Sequence, residues 1–93
     1  MLISHPYVKV NRKIKNNEQH LIEIEESLVL YRDKVISASD YFRLQDILDM
    51  SFKSLSGDSG FLYLHTNRGV FSFHTKTNPE DFIHFYHRLK EKL

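Results

Sequence analysis

Histidine and carboxylate side chains recur at helical spacing near the C-terminus, and they come nearest to a metal site in this chain. Glu80, His84, His87 and Glu91 share one face of a predicted helix, so imidazole and carboxylate groups could converge on a divalent ion. The chain has no His-Glu-x-x-His pattern and no second ligand cluster in register with these four. Because a solvent-exposed helix face uses the same residue types, we interpret them as surface and predict neither a metal nor a cofactor.

The sequence carries none of the common catalytic motifs. It has no Gly-x-Ser-x-Gly turn, no glycine-rich phosphate loop ending in lysine and no dinucleotide fingerprint. Ser56-Gly57-Asp58-Ser59-Gly60 looks superficially like a phosphate loop, but it lacks the lysine and precedes a predicted strand. A domain this small also leaves little volume for an active-site pocket beside its core. We predict that the protein is not an enzyme.

Four cations lie within seven residues near the N-terminus, with no acid before Glu18: Lys9, Arg12, Lys13 and Lys15. We place Lys9 on a first strand and the other three in the loop after it. Each cation near an anionic bilayer contributes ~1 kcal/mol of attraction. A net charge of +1 and the lack of interleaved aromatic residues argue against nucleic acid as a partner. A solvated loop explains the run equally simply, so anionic-surface binding is the alternative function, not the leading one.

Aromatic side chains are concentrated between residues 61 and 73, and most are expected in the core. The segment Phe61-Leu62-Tyr63-Leu64 is apolar on both faces of a predicted strand. Such a strand is either covered on both sides or presents one face to another protein. We therefore predict Phe61, Tyr63 and His65 as partner-binding residues.

Composition predicts one globular domain over residues 1–93. With 93 residues, a second core would leave neither half enough buried surface to be stable, and a composition that is 41% hydrophobic is ordinary for a globular protein. It has no cysteine, which excludes disulfides, thiolate metal sites and thiol nucleophiles. The first six residues lack the features of a signal peptide, and the longest apolar run is far below the ~20 residues of a membrane span. We expect a cytoplasmic protein.

A C-terminal amphipathic helix over residues 79–93 is the clearest predicted element. Asn78 can cap its first N–H groups, and Pro79 suits the first helical turn. An apolar stripe follows at helical spacing, with Ile83 and Phe85 beside it: Phe82, Tyr86, Leu89 and Leu93. A helix this short is marginal alone, so we expect the stripe to cover the open end of a barrel or sandwich.

About seven short antiparallel strands are predicted before this helix, giving a mainly β fold. Alternation and turn residues place them at residues 7–10, 20–25, 28–31, 41–44, 47–54, 61–66 and 70–75. We predict a break at Glu26-Ser27, and Leu48 on the same face as Met50 and Phe52. The hairpin register around Asn67-Arg68-Gly69 stays open. One alternative groups Phe61, Tyr63 and His65 with Phe71 and Phe73, and the other groups Leu62 and Leu64 with them.

The chain resembles the small bacterial pleckstrin-homology-like (PH-like) domains over most of its length from His20. The resemblance rests on strand order, on the hairpin at Asn67-Arg68-Gly69, on Tyr41-Phe42-Arg43-Leu44-Gln45-Asp46-Ile47 and on Asn78-Pro79-Glu80-Asp81-Phe82. It implies a seven-stranded bent barrel capped by its helix, used as a binding platform and usually not catalytic. Members that bind phosphoinositides carry cations on the second strand, where this chain has Glu23 and Glu25.

These observations predict a non-catalytic binding module. The leading prediction is interaction with a protein or peptide, or with a second copy, through strand edges and the groove beside the helix. The alternative is peripheral association with an anionic membrane surface through the basic segment, residues 9–15.

Overall fold

The computed structural model describes residues 1–92, with Arg12 and Lys13 described for their backbone alone. As predicted, the described chain is mainly antiparallel β sheet with one C-terminal helix. The strands are β1 (Ile3–Lys15), β2 (Glu18–Leu30), β3 (Lys34–Ile36), β4 (Tyr41–Arg43), β5 (Ile47–Ser56), β6 (Ser59–Thr66) and β7 (Gly69–Thr75). A 3-10 turn (Leu44–Asp46) joins β4 to β5, and helix α1 (Glu80–Glu91) follows β7.

The seven strands form one open sheet in the order β4-β3-β2-β1-β7-β6-β5. Its two ends, β4 and β5, are not paired with each other in the described chain, so the sheet is not closed. The sheet nevertheless bends so that its two halves face each other. Phe42 on β4 packs edge-to-face on Phe71 of β7 at 4.9 Å between ring centroids, although three strands separate β4 from β7 in the sheet order. Tyr7 on β1 packs in the same way on Phe73 of the neighbouring β7, at 5.0 Å.

Arg68, in the β6–β7 turn, ties the two halves together at one side. Its Nη2 donates a hydrogen bond to the Tyr41 carbonyl oxygen at 3.1 Å. Its guanidinium also lies over the rings of Phe42 and Phe71, at 5.1 and 5.5 Å from their centroids. Cation–π contacts of this kind favour a planar cation, which arginine supplies.

Helix α1 packs its predicted apolar stripe on the core. Phe82 and Tyr86 are buried, Leu89 is half-buried, and Leu93 lies outside the described residues. The buried Tyr86 hydroxyl donates to the Ile47 carbonyl oxygen at 3.0 Å, which anchors the helix to the start of β5. Pro79 occupies the N-cap position of α1, and Asn78 accepts a hydrogen bond from the first helical N–H as predicted, since the Glu80 N–H donates to its side-chain oxygen at 2.9 Å.

The first part of the chain corrects the sequence prediction. The strands predicted at residues 20–25 and 28–31 are one strand, because Glu26 and Ser27 pair with Tyr7 and Pro6 without interruption. The connection to β1 is only Asn16-Asn17, whose φ values of 54° and 61° give the left-handed turn that suits a tight hairpin. The prediction that Arg12, Lys13 and Lys15 lie in a loop is therefore wrong, because all three lie within β1.

The register of β5 differs from the prediction, and the register of the β6–β7 hairpin decides between the two open alternatives. Leu48 is the extra residue of a β-bulge between Ile47 and Asp49, so its side chain is 66% exposed while Met50 is buried. The prediction that Leu48 shares a buried face with Met50 is wrong for this reason. The β6–β7 hairpin has Thr66 paired with Gly69, so Leu62 pairs with Phe73 and Leu64 with Phe71. The second of the two open alternatives is the observed one.

Candidate functional site

The β1–β2 hairpin extends beyond the body of the domain. Among the described residues, β1 pairs with β7 at one position, Val8 with His74, and β2 pairs with β3 at Val29 and Leu30. Residues 9–25 between these points form a two-stranded ribbon with two open edges, which we call the arm. The molecule measures 54 × 27 × 23 Å, and a strand of thirteen residues accounts for roughly 43 Å of length.

Aliphatic side chains of the arm are exposed on both of its faces. Cross-strand partners share a face, so Val10, Ile14 and Leu21 lie on one side of the ribbon. These three are 56%, 82% and 66% exposed. Ile22 and Ile24 lie on the other side and are also exposed. Five exposed aliphatic residues in one short ribbon form a concentrated apolar surface, and surfaces of this kind mark interaction sites in proteins.

The two strands of the arm carry opposite charge. All four cations of the predicted anionic-surface site lie on β1: Lys9, Arg12, Lys13 and Lys15. Glu18, Glu23 and Glu25 lie on β2, and Glu18 pairs directly with Lys15. Lys9 is half-buried and its Nζ donates to the Ser39 hydroxyl at 3.2 Å, at the base of the arm. The strand next to the one that carries the four cations thus holds three acids, which lowers the net charge of the arm.

The predicted partner-binding residues on β6 form a continuous row. Phe61, Tyr63 and His65 point to the outer face and are half-buried. Ring centroids of Phe61 and Tyr63 are 6.2 Å apart, and those of Tyr63 and His65 are 6.4 Å apart. His65 also forms a hydrogen bond between its Nε2 and the Ser51 hydroxyl at 2.9 Å. Alternate residues of a strand share a face, so each ring is partly covered by its neighbours along β6.

A groove runs beside α1, next to Leu2 before β1 and Arg32 after β2. Apolar side chains of Leu2, Phe85 and Leu89 line it together with three cations: Arg32, Arg88 and Lys92. Its volume is about 540 Å³. Leu2 and Phe85 are 39% and 40% exposed, so two bulky apolar groups are accessible inside it.

The polar surface of α1 is open to solvent, as its sequence suggests. Glu80, His84, His87 and Glu91 are all exposed. His87 Nε2 lies 3.3 Å from the Asp49 carboxylate on β5. In the part of the chain that the structure describes, no three histidine, aspartate or glutamate side chains are grouped to hold a metal ion. Nor is any helix of that part long and apolar enough to cross a membrane.

Two titratable groups at the α1–β5 contact have shifted pKa values. The Met50 backbone N–H donates to Asp49 and lowers the pKa of that carboxyl, with a further lowering from His87. Burial raises the pKa of the Tyr86 phenol to about 12, and the nearby Asp49 charge adds to the rise. Tyr86 is therefore a neutral hydrogen-bond donor at physiological pH, which makes it a structural group.

Neither the arm nor the composition of the groove was predicted from sequence. Tandem asparagines at Asn16-Asn17 were the available signal for the hairpin, because asparagine tolerates positive φ better than other non-glycine residues. The helix half of the groove was visible as positions 85, 88, 89 and 92, which share one stripe. Comparison of the chain with protein-family models, with characterised proteins and with solved structures gives no significant match.

Proposed function

We propose that this domain is a non-catalytic binding module that engages a protein or peptide, or a second copy, through strand edges and the groove beside α1. The observation that carries the proposal is the arm, where Val10, Ile14 and Leu21 are exposed on one face of a ribbon whose edges are open. An open edge offers unpaired backbone N–H and C=O groups to an incoming strand. Exposed aliphatic side chains beside it supply the apolar contact that gives such an addition its affinity.

The charge of the two edges favours some partners over others. Two β1 edges brought together would place lysine opposite lysine, and two β2 edges would place glutamate opposite glutamate. Like charges directly opposite each other in a sheet are destabilising. A strand added to β1 is therefore expected to be acidic, and symmetric pairing of two identical edges is disfavoured.

A PH-like architecture is part of the same proposal. Four consecutive strands, β1 to β4, and three consecutive strands, β5 to β7, form the two facing halves, and a C-terminal helix packs between them. This order supports the resemblance stated from the sequence. The resemblance implies a binding platform, and the identity of the ligand follows from the surface chemistry and not from the fold.

A displayed library of random peptides tests the proposal, together with light scattering of the protein alone. The arm variant Val10→Ser/Ile14→Ser/Leu21→Ser removes the exposed aliphatic groups and leaves the core intact. Leu48→Ser is the matched control, because Leu48 and Leu21 are both 66% exposed. We expect arm-binding peptides, or a dimer mass at high concentration, with wild type and with Leu48→Ser. The arm variant should form no dimer and should lose the peptides that bind the arm. A monomer that selects no peptides contradicts the proposal.

Association with an anionic membrane is the second candidate, and the tip of the arm is the observation that favours it. Ile14 is 82% exposed and is followed directly by Lys15. Apolar and cationic side chains together are what peripheral membrane segments use. Arg12→Glu/Lys13→Glu/Lys15→Glu should abolish sedimentation with phosphatidylserine vesicles. Wild type that does not sediment at low salt rules this candidate out.

A further inference from the structure

We infer that the groove beside α1 binds an acidic polypeptide segment that carries bulky apolar side chains. The inference rests on the proposed function and specifies the ligand of one of its surfaces. The groove is lined by residues of the helix region and by Leu2 and Arg32, which lie just outside the ends of β1 and β2, and none of its lining residues belongs to the arm. The two surfaces can therefore be tested separately.

The walls of the groove are fixed by the fold. On one side, Phe85, Arg88, Leu89 and Lys92 form a single stripe along α1, at spacings of three and four residues. On the other side, the Leu2 N–H donates to the Leu30 carbonyl oxygen at 2.8 Å, which holds Leu2 beside the end of β2. Arg32 lies in the turn that the Tyr31 N–H closes on the Lys34 carbonyl oxygen at 2.8 Å. The cavity thus has ordered backbone on both sides.

The charge of the groove is not neutralised from within. Arg32, Arg88 and Lys92 take part in none of the ion pairs formed by the described residues. Three cations around exposed Leu2 and Phe85 match a ligand that carries carboxylates between apolar side chains. Arginine binds carboxylates through two parallel hydrogen bonds, so two arginines here favour carboxylates over a diffuse anionic surface.

Acidic residues limit the groove at one end. A neighbouring depression on α1 is lined by Glu80 and Asp81, together with His84, Phe85 and Arg88. The ligand carboxylates are therefore expected near Arg32 and Lys92, and the ligand should be neutral or basic where it approaches Glu80. Three cations are too few for tight nucleic-acid binding, which neutralises roughly 6–10 phosphates in typical complexes.

The groove is large enough to hold a few side chains of a ligand but too small to hold a folded domain. Its volume of about 540 Å³ holds a few large side chains, and ligand pockets in proteins measure roughly 300–1,000 Å³. The apolar lining would contact leucine or phenylalanine side chains of the ligand. We therefore expect a short linear segment as the ligand.

Fluorescence anisotropy with three labelled twelve-residue peptides tests the inference. All share leucine and phenylalanine at alternate positions, and the intervening residues are glutamate, glutamine or lysine. We expect the glutamate peptide to bind at least about tenfold more tightly than the glutamine peptide, because charge-assisted hydrogen bonds are about twice as strong as neutral ones. The lysine peptide should not bind, and binding of the glutamate peptide should weaken as salt is raised.

Variants locate the binding. The variant Arg32→Glu/Arg88→Glu should no longer bind the glutamate peptide and should bind the lysine peptide instead. Phe85→Ser should bind the glutamate peptide more weakly than wild type does. Lys53→Glu, an exposed lysine on β5, is the control and should bind like wild type. Equal affinity for the three peptides, binding unchanged in Arg32→Glu/Arg88→Glu, or sedimentation with anionic vesicles through the same arginines would overturn the inference. The arm variant separates the two claims: library peptides that depend on the arm alone sustain the proposed function and overturn only this inference.

Discussion

Replacement of Phe82 by alanine should destabilise the domain severely. Phe82 is fully buried between α1 and the sheet, and a buried phenylalanine cut to alanine costs about 3–5 kcal/mol in lost transfer energy and cavity formation. At roughly 0.05–0.15 kcal/mol per residue, a domain of this length has a free energy of unfolding of about 5–14 kcal/mol. The substitution therefore removes a large part of that free energy, and Phe82→Asp, which also buries a charge, should unfold the protein.

Urea unfolding measured by circular dichroism gives the required comparison. With a slope of roughly 1 kcal/mol per molar urea for a small domain, the Phe82→Ala midpoint should fall by about 3–5 M. Phe85→Ala is the control, because it changes the same residue type on the same helix where the side chain is 40% exposed. Its cost should stay below about 1 kcal/mol. If the two variants lose equal stability, or if a chain without residues 79–93 still unfolds cooperatively, the packing of α1 described above is wrong.

Three further substitutions, each of a single residue, are tested by the same unfolding measurement. Tyr86→Phe removes the hydrogen bond to the Ile47 carbonyl oxygen and should cost about 1–2 kcal/mol. Folding raises the Tyr86 pKa from 10.0 to about 12, so the folded state holds this proton more tightly. Its contribution is fully present below pH 10 and lost between pH 10 and 12, and Tyr86→Phe should lack that loss. Arg68→Ala should cost about 1–2 kcal/mol, because it removes a hydrogen bond and two cation–π contacts. Gly60→Ala should cost about 1–3 kcal/mol or more, because its Cβ would collide with the Lys53 carbonyl oxygen.

Each of these three predictions has an outcome that would contradict it. Identical alkaline unfolding curves for wild type and Tyr86→Phe would show that the phenol is accessible in the folded state. Wild-type stability in Arg68→Ala would mean that the guanidinium does not join the halves of the sheet. Gly57→Ala is the comparison for Gly60→Ala, because Gly57 has open space but a φ of 57°, and a left-handed conformation costs an alanine about 1–2 kcal/mol. A larger loss at Gly57 than at Gly60 would refute the steric argument.

The C-terminal half of the fold could be predicted closely from sequence. Asn78 and Pro79 marked the start of α1 within one residue, and the apolar stripe identified Phe82 and Tyr86 as core. These signals are local, since a cap and a 3.6-residue period depend on residues a few positions apart. The strands of residues 47–75 were found for the same reason, through short apolar alternation bounded by glycine turns.

Strands were predicted in the N-terminal half, but their bounds were not, because strand length there depends on pairing between distant residues. Glu26-Ser27 interrupts the apolar alternation, yet pairing with Pro6 and Tyr7 carries β2 through it. Leu48 was misplaced because a bulge changes which face each residue occupies and has no sequence signal of its own. The groove joins Leu2 and Arg32 to residues of α1, and no local pattern predicts a contact over that separation.

The most direct test of the central claim is a map of amide chemical shifts during titration with a library-selected peptide. A binding module of the proposed kind predicts that the shifted amides lie in residues 9–25, in the groove lined by Leu2, Arg32 and Phe85, or in both. The shifts should saturate, and those in the arm should disappear in the Val10→Ser/Ile14→Ser/Leu21→Ser variant. Shifts confined to the outer face of β5 to β7, or a library that yields no binding peptide while the protein remains monomeric, would contradict the claim.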